Sequence, residues 1–120
     1  MFNQYAVPAY ILEELPEIKE AFDTVPLTSN IFLVLQCLSS FTGRKVKMHD
    51  LRMVKRCFQL GEKIYSRGNT LVRDAVENIF VFSFSSFMSV CDREERNHLQ
   101  SLMPLSLHTV YVQQMLKSGL

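Results

Sequence analysis

Between residues 51 and 65, Leu51, Val54, Cys57, Phe58, Gly61, Ile64 and Tyr65 recur at steps of three and four. Arg52, Lys55, Arg56, Gln59, Glu62 and Lys63 fill the positions between them. A period of about 3.6 residues puts the two sets on opposite faces, so the spacing predicts an amphipathic surface helix. Asp50 offers a capping acceptor at its start, and Gly68 ends it. Asn69 caps a second run, in which Val72, Val76, Phe80, Phe84, Phe87 and Cys91 keep the same steps with Ile79 and Met88 alongside. Within that run Phe82-Ser83-Phe84-Ser85 alternates at period two, which is a strand signal. No other segment alternates to pair with it, so the run reads as a helix over residues 70–91, roughly 33 Å long.

The remaining segments are shorter. Pro8 to Asp23 reads as two helical pieces divided at Pro16, with Tyr10, Ile11 and Leu15 on one apolar edge and Ile18, Ala21 and Phe22 on the next. Pro26 breaks the chain before Thr28 and Ser29, either of which serves as a helix cap. Ile31 to Phe41 carries Ile31, Val34, Leu35, Leu38 and Phe41 at helical spacing. Phe32 and Leu33 add apolar surface off that stripe, the mark of a helix buried between neighbours. Thr42 to Lys47, with Gly43, reads as a polar loop. Asp92 and Glu95 form a capping-box pattern for a short helix ending before Pro104, with Leu99, Leu102 and Met103 on its apolar side. Ser106 is expected to cap the last helix, with Leu107, Val110, Tyr111, Met115 and Leu116 as its stripe and Gly119 at its end.

The fold expected from this pattern is all-α: a single domain over residues 1–120 with about five or six helices. Residues 70–91 form the central helix, packed by residues 30–42 and 51–66. Composition agrees. Four Gly and four Pro among 120 residues are too few turn signals for a sandwich or barrel. Residues 78–91, the most apolar segment, fall short of the roughly 20 needed to cross a bilayer and carry four serines. Residues 1–15 lack the basic start of a secretory signal. The three cysteines, Cys37, Cys57 and Cys91, are odd in number and show no CxxC spacing, which favours buried, reduced thiols and a cytoplasmic setting.

Charge is uneven along a chain whose formal net charge is +1. Residues 44–67 sum to +6 and residues 1–43 to −4. One reading takes Arg44, Lys45, Lys47, Arg52, Lys55, Arg56 and Lys63 as a surface for nucleic acid or an acidic protein. The other lays the acidic N-terminal helices against the basic helix, or leaves both faces solvated. A sequence pI near 7.7 and the lack of a reading motif favour the second.

Signals for chemistry are sparse. His49, His98 and His108 are scattered, and Glu95-x-x-His98 is a single copy of a step that di-iron bundles use twice. Serine-nucleophile, phosphate-loop and dinucleotide motifs are absent. The expectation is therefore a protein that is not an enzyme, takes no cofactor or metal, and acts on no small-molecule substrate. Phe2, Tyr5, Tyr10, Phe32, Phe41, Met53 and Phe82 exceed what a small core readily buries. They either form a patch for a partner or a second copy, or are absorbed by the central helix. The leading functional expectation is a non-catalytic protein-interaction module, with a nucleic-acid-binding domain as the alternative.

Four short motifs add to this reading: Glu14-Leu15-Pro16-Glu17-Ile18, Val54-x-x-x-Phe58, Arg73-x-x-Val76-x-Asn78-Ile79-Phe80-Val81 and Met103-Pro104-Leu105-Ser106. In this order the chain resembles a family of small all-helical bacterial proteins whose biochemical role is unassigned. Members often carry an acidic residue after the Asn-apolar run, where this chain has Ser85 and Ser86. By analogy with comparable small helical proteins, the resemblance implies a role like that of immunity partners, which neutralise toxins.

Overall fold

The computed structural model describes residues 1–24 and 30–117. Pro26, Thr28, Ser29 and Gly119, to which the sequence assigns a break, a cap and a stop, lie outside the described residues. The elements are α1 (Val7–Glu14), a 3-10 turn (Pro16–Ile18) running into α2 (Lys19–Asp23), α3 (Ile31–Lys47) and α4 (Leu51–Arg67). After these come α5 (Thr70–Ala75), a π turn (Val76–Phe80), a 3-10 turn (Val81–Ser83) and α6 (Phe84–Ser89). The chain continues with α7 (Arg93–Leu102) and α8 (Leu105–Lys117). With 16–23 and 70–89 each counted once, seven helical segments stand among the described residues. The one extended pairing among them is an isolated bridge between Phe2 and Gly68. The all-α expectation holds.

The run 70–89 is the spine. Val72, Val76, Phe80, Val81 and Phe84 are fully buried, while Phe82 is 71% exposed. Helical phase, not strand alternation, decides which phenylalanines go inside. The run is not uniform, because the π turn and the 3-10 turn interrupt its regular hydrogen-bond ladder. Side chains take up carbonyls in and beside the interruption: Asn78 Nδ2 donates to Asp74 O at 2.8 Å, Ser83 Oγ to Ile79 O at 2.6 Å, and Gln114 Nε2 to Glu77 O at 2.8 Å. Such side-chain substitution is what an irregular buried helix requires.

Phe58 of α4 sits among Phe80, Phe84 and Phe87, at centroid distances of 6.3, 5.1 and 6.5 Å. Tyr111 of α8 closes on Phe84 at 5.9 Å. One aromatic cluster thus joins α4, the spine and α8, each pair adding about 0.5–1.5 kcal/mol beyond simple burial. Val7, Ile11, Leu15, Ile18 and Phe22 bring the N-terminal pieces into the same core.

Two expectations need correction. Thr42 to Lys47 is not a loop but the last turns of α3. Thr42 is buried and donates to Leu38 O at 2.8 Å, and Val46 is fully buried. Gly43 is there for close approach: a Cβ on it would lie 3.3 Å from the Phe87 ring. The left-handed residue that ends α3 is His49, at φ 59°, with Asp50 N donating to Lys45 O and His49 N to Val46 O, both at 3.0 Å. This is a Schellman-type close without the usual glycine. Ser106, likewise, is no cap. It lies inside α8, which begins at Leu105, and its buried Oγ has no hydrogen-bond partner among the described residues.

Candidate functional sites on the surface

The basic residues singled out from the sequence are divided between the end of α3 and the outer side of α4, and one of them, Arg56, is paired with an acid. Arg56, half-buried on α4, donates through Nη1 to Glu17 Oε2 at 2.6 Å and through Nη2 to Glu14 O at 3.3 Å. Its guanidinium hydrogen bond holds the Glu17 carboxyl below its ordinary range, a charge-assisted contact that favours the ionised form. The acidic N-terminal segment therefore lies against the basic helix at this point, as one of the two sequence readings has it. Arg52, Lys55 and Lys63 remain exposed on α4. On α3, Lys45 Nζ and Arg44 Cζ sit 5.2 and 5.9 Å from the Phe41 ring centre.

Arg44 marks the ridge between two clefts. The first, about 640 Å³, is bounded by α2 and α3, and Glu17 and Glu20 there face Arg44 and Lys45. The second, about 360 Å³, lies between α3 and the spine and is lined by Ser39, Ser40, Gly43, Arg44, Lys47 and, from the spine, Ser83, Ser86, Phe87 and Val90. Among the described residues no acidic side chain lines it. The serines and Gly43 keep the two helices' facing surfaces shallow, and the cations stand along α3.

Several thiols and hydroxyls are spent on contacts within the fold. Cys37 and Cys57 are buried, and burial pushes the Cys57 thiol up to about 11. Cys91 is half-buried, and its single S–H is shared between Phe87 O and Glu95 Oε1, each 3.3 Å from Sγ. Burial first, then the Glu95 hydrogen bond and charge, push it to about 11. Glu95 also accepts from His49 Nδ1 at 2.9 Å. The capping box read from Asp92 and Glu95 is therefore only half made. Asp92 Oδ1 accepts from Glu95 N at 2.8 Å, but the Glu95 carboxylate turns to His49 and Cys91. Ser83, Ser89, Ser101 and Thr109 donate to backbone carbonyls three or four residues back. Among the described residues no group of three His, Cys, Asp or Glu is placed to hold a metal ion.

The aromatic surplus is mostly absorbed, since Phe2, Tyr10, Phe32 and Met53 pack against the core and Phe41 belongs to it. Phe82 and Tyr5 stay out, at 71% and 66% exposed. The sequence reading missed a different surface. Leu116, assigned to the inner stripe of α8, is 71% exposed, and Leu105 and Val112 are 80% and 40% exposed. Leu105, Thr109, Val112 and Leu116 follow steps of four, three and four, and so share an arc of about 60° on one side of the helix. Leu107, Val110 and Tyr111 occupy the opposite side and are buried. Among the described residues α8 is apolar on two faces, and the core uses one of them. The 4-3-4 spacing was readable, but the denser inner stripe claimed Leu116.

The molecule is thus an all-helical domain with one aromatic core, two shallow clefts beside α3 and an uncovered apolar helix face. Residues 8–117 match the family described as Domain of unknown function (DUF7674), and the chain belongs to that family. No curated protein and no solved structure matches it. Among the described residues no helix is long and apolar enough to cross a membrane.

Proposed function

We propose that this domain is a non-catalytic protein-interaction module that docks a partner on the outer face of α8. The observation that carries this reading is the exposed Leu105, Val112 and Leu116 at coiled-coil-like spacing. A helix with a second apolar face normally packs against something, and such a face is read by another apolar surface. Phe82, also exposed, stands on the spine turn that packs beside α8. The high thiol pKa values of Cys57 and Cys91, and the hydroxyls of Ser83, Ser89, Ser101 and Thr109 tied to the backbone, support a non-catalytic role. Free cysteines support a reducing, cytoplasmic setting, in the bacterial cell that the family resemblance implies. An immunity-like protein that binds and silences a toxin is one form of this reading. The nucleic-acid alternative is weakened by Glu17, which neutralises Arg56 in the middle of the basic set.

The test compares the wild-type chain with the double variant Leu105→Glu, Leu116→Glu in pulldowns from the native cell extract. Both positions are exposed, so the variant should keep its far-ultraviolet circular dichroism and stay within about 0.5 kcal/mol of wild-type stability at each site. We expect one protein recovered at near-stoichiometric level with the wild type and lost with the variant. A partner retained by the variant, or none recovered by the wild type, would sink the reading.

A further inference from the structure

We infer that the cleft between α3 and the spine is a binding site for a phosphate-type oxyanion, free or carried by a small molecule. Three observations converge on it. The cleft, about 360 Å³, lies at the small end of ligand sites, which run from about 300 to 1,000 Å³. Two cations, Arg44 and Lys47, line it with no acid among the lining residues. Both are exposed, and neither takes part in an ion pair among the described residues. The third observation is Ser39. It is 7% exposed and lines the cleft, yet its buried Oγ has no hydrogen-bond partner among the described residues. A buried hydroxyl without a protein partner costs stability where no water reaches it, and a turn of the Ser39 side chain toward the cleft would offer its proton to an oxyanion there.

The neighbouring clefts lack this combination. Beside α2, Glu17 and Glu20 oppose Arg44 and Lys45, so an anion entering there meets two carboxylates. The cleft bounded by Arg67 and Arg73 holds Arg73 on the Tyr65 ring at 4.4 Å, a closer stack than Arg44 makes on Phe41 at 5.9 Å, and the Tyr65 hydroxyl is tied to Glu77. In the α3 cleft, by contrast, Ser40 and Ser86 stand with Ser39 as hydroxyl donors, while Arg44 and Lys47 supply charge. Arg44 offers a planar fork suited to two oxygens of a tetrahedral anion, and Lys47 a mobile point charge. Gly43 leaves room because a side chain there would fill the floor beside Phe87. The site stands apart from the outer face of α8, so it does not depend on the interaction surface proposed above.

The experiment is a thermal-melt titration of the full chain with sodium phosphate against sodium chloride at matched ionic strength, repeated with a phosphomonoester, adenosine monophosphate. The variants are Arg44→Gln with Lys47→Gln, Ser39→Ala, and Lys63→Gln as a distant basic control. We expect phosphate to raise the wild-type and Lys63→Gln midpoints beyond the chloride effect, and the Arg44/Lys47 double variant to show no such rise. Each lost charge-assisted contact should weaken binding about tenfold or more. Ser39→Ala should melt higher than wild type without phosphate, yet bind phosphate more weakly, an opposition that a purely structural role would not produce. Tighter binding of the monophosphate than of phosphate assigns the site to a phosphorylated small molecule, and equal binding assigns it to the free anion. No rise beyond chloride in the wild type, or a rise preserved in the double variant, overturns the inference.

Discussion

Cys91 shows how a half-exposed thiol is kept inert. Its pKa of about 11 comes first from burial, then from the Glu95 carboxylate 3.3 Å away, with the Asp92 charge adding to both. At pH 8 a thiol with that pKa is ionised in about one molecule in a thousand, so alkylation should be slow despite access. Replacing Glu95 by Gln removes the negative charge and leaves an amide of the same shape. The thiol pKa should then fall, and the rate of iodoacetamide labelling at pH 8, followed by intact mass, should rise several-fold. It should stay below that of a free thiol, because burial, the larger cause, is untouched. A rate that is unchanged or lower in the variant would show that Glu95 does not govern this thiol. Sequence alone placed Glu95 correctly on the helix but misjudged its side chain. The capping pattern is local, whereas the competing partner, His49, lies 46 residues earlier and arrives through the left-handed close of α3.

At the scale of elements, the packing of α4 on the spine turns on Gly61. A Cβ there would collide with Cε2 of Phe80 and lie 2.9 Å from its Cδ2. Phe80 is fully buried within the aromatic cluster and has little freedom to retreat. In an exposed helix Gly→Ala would stabilise by about 1 kcal/mol. Overpacking a filled core costs about 1–3 kcal/mol, so we expect Gly61→Ala to be destabilising on balance, by roughly 0–2 kcal/mol in urea unfolding. A clear stabilisation would mean that Phe80 moves aside freely. The α4 stripe was legible because its apolar set, its cap and its stop all agree, and Asp50 and Asn69 do accept from Met53 N and Val72 N. The end of α3 was not legible. Gly43 looks like a loop residue in one dimension and becomes a contact point only when Phe87, 44 residues later in the sequence, packs over it. The oxyanion cleft was half legible for the same reason: Arg44 and Lys47 stand out as charges. Ser39, Ser83 and Ser86 acquire meaning only when two helices face each other.

Across the whole molecule, the titrating groups with shifted pKa values make stability asymmetric in pH. On the acid side the contribution is small. Glu17, whose side chain is 43% exposed, has its pKa lowered by Arg56, so its stabilisation is present at neutral pH and fades as pH falls from about 4.3 through the lower folded value. An exposed pair of this kind is worth about 0–1 kcal/mol. The alkaline side is steeper. Cys57 is fully buried, and burial raises its pKa from the ordinary 9.0 to about 11. Between those values the unfolded chain releases its proton while the folded chain keeps it, so stability falls as pH rises. For Cys57 alone the loss is on the order of 2 kcal/mol by pH 11. Cys91, Tyr10 and Tyr65, also shifted upward, act in the same direction. The melting temperature, measured with reductant present, should therefore hold steady from about pH 5 to 8 and decline above about 8.5. Cys57→Ala should melt lower than wild type at pH 7, because it opens a small cavity beside Thr42, yet lose less between pH 8 and 11. Parallel curves for the two proteins would place the alkaline limb elsewhere, and would mean that the core admits hydroxide or water at Cys57 before the fold gives way.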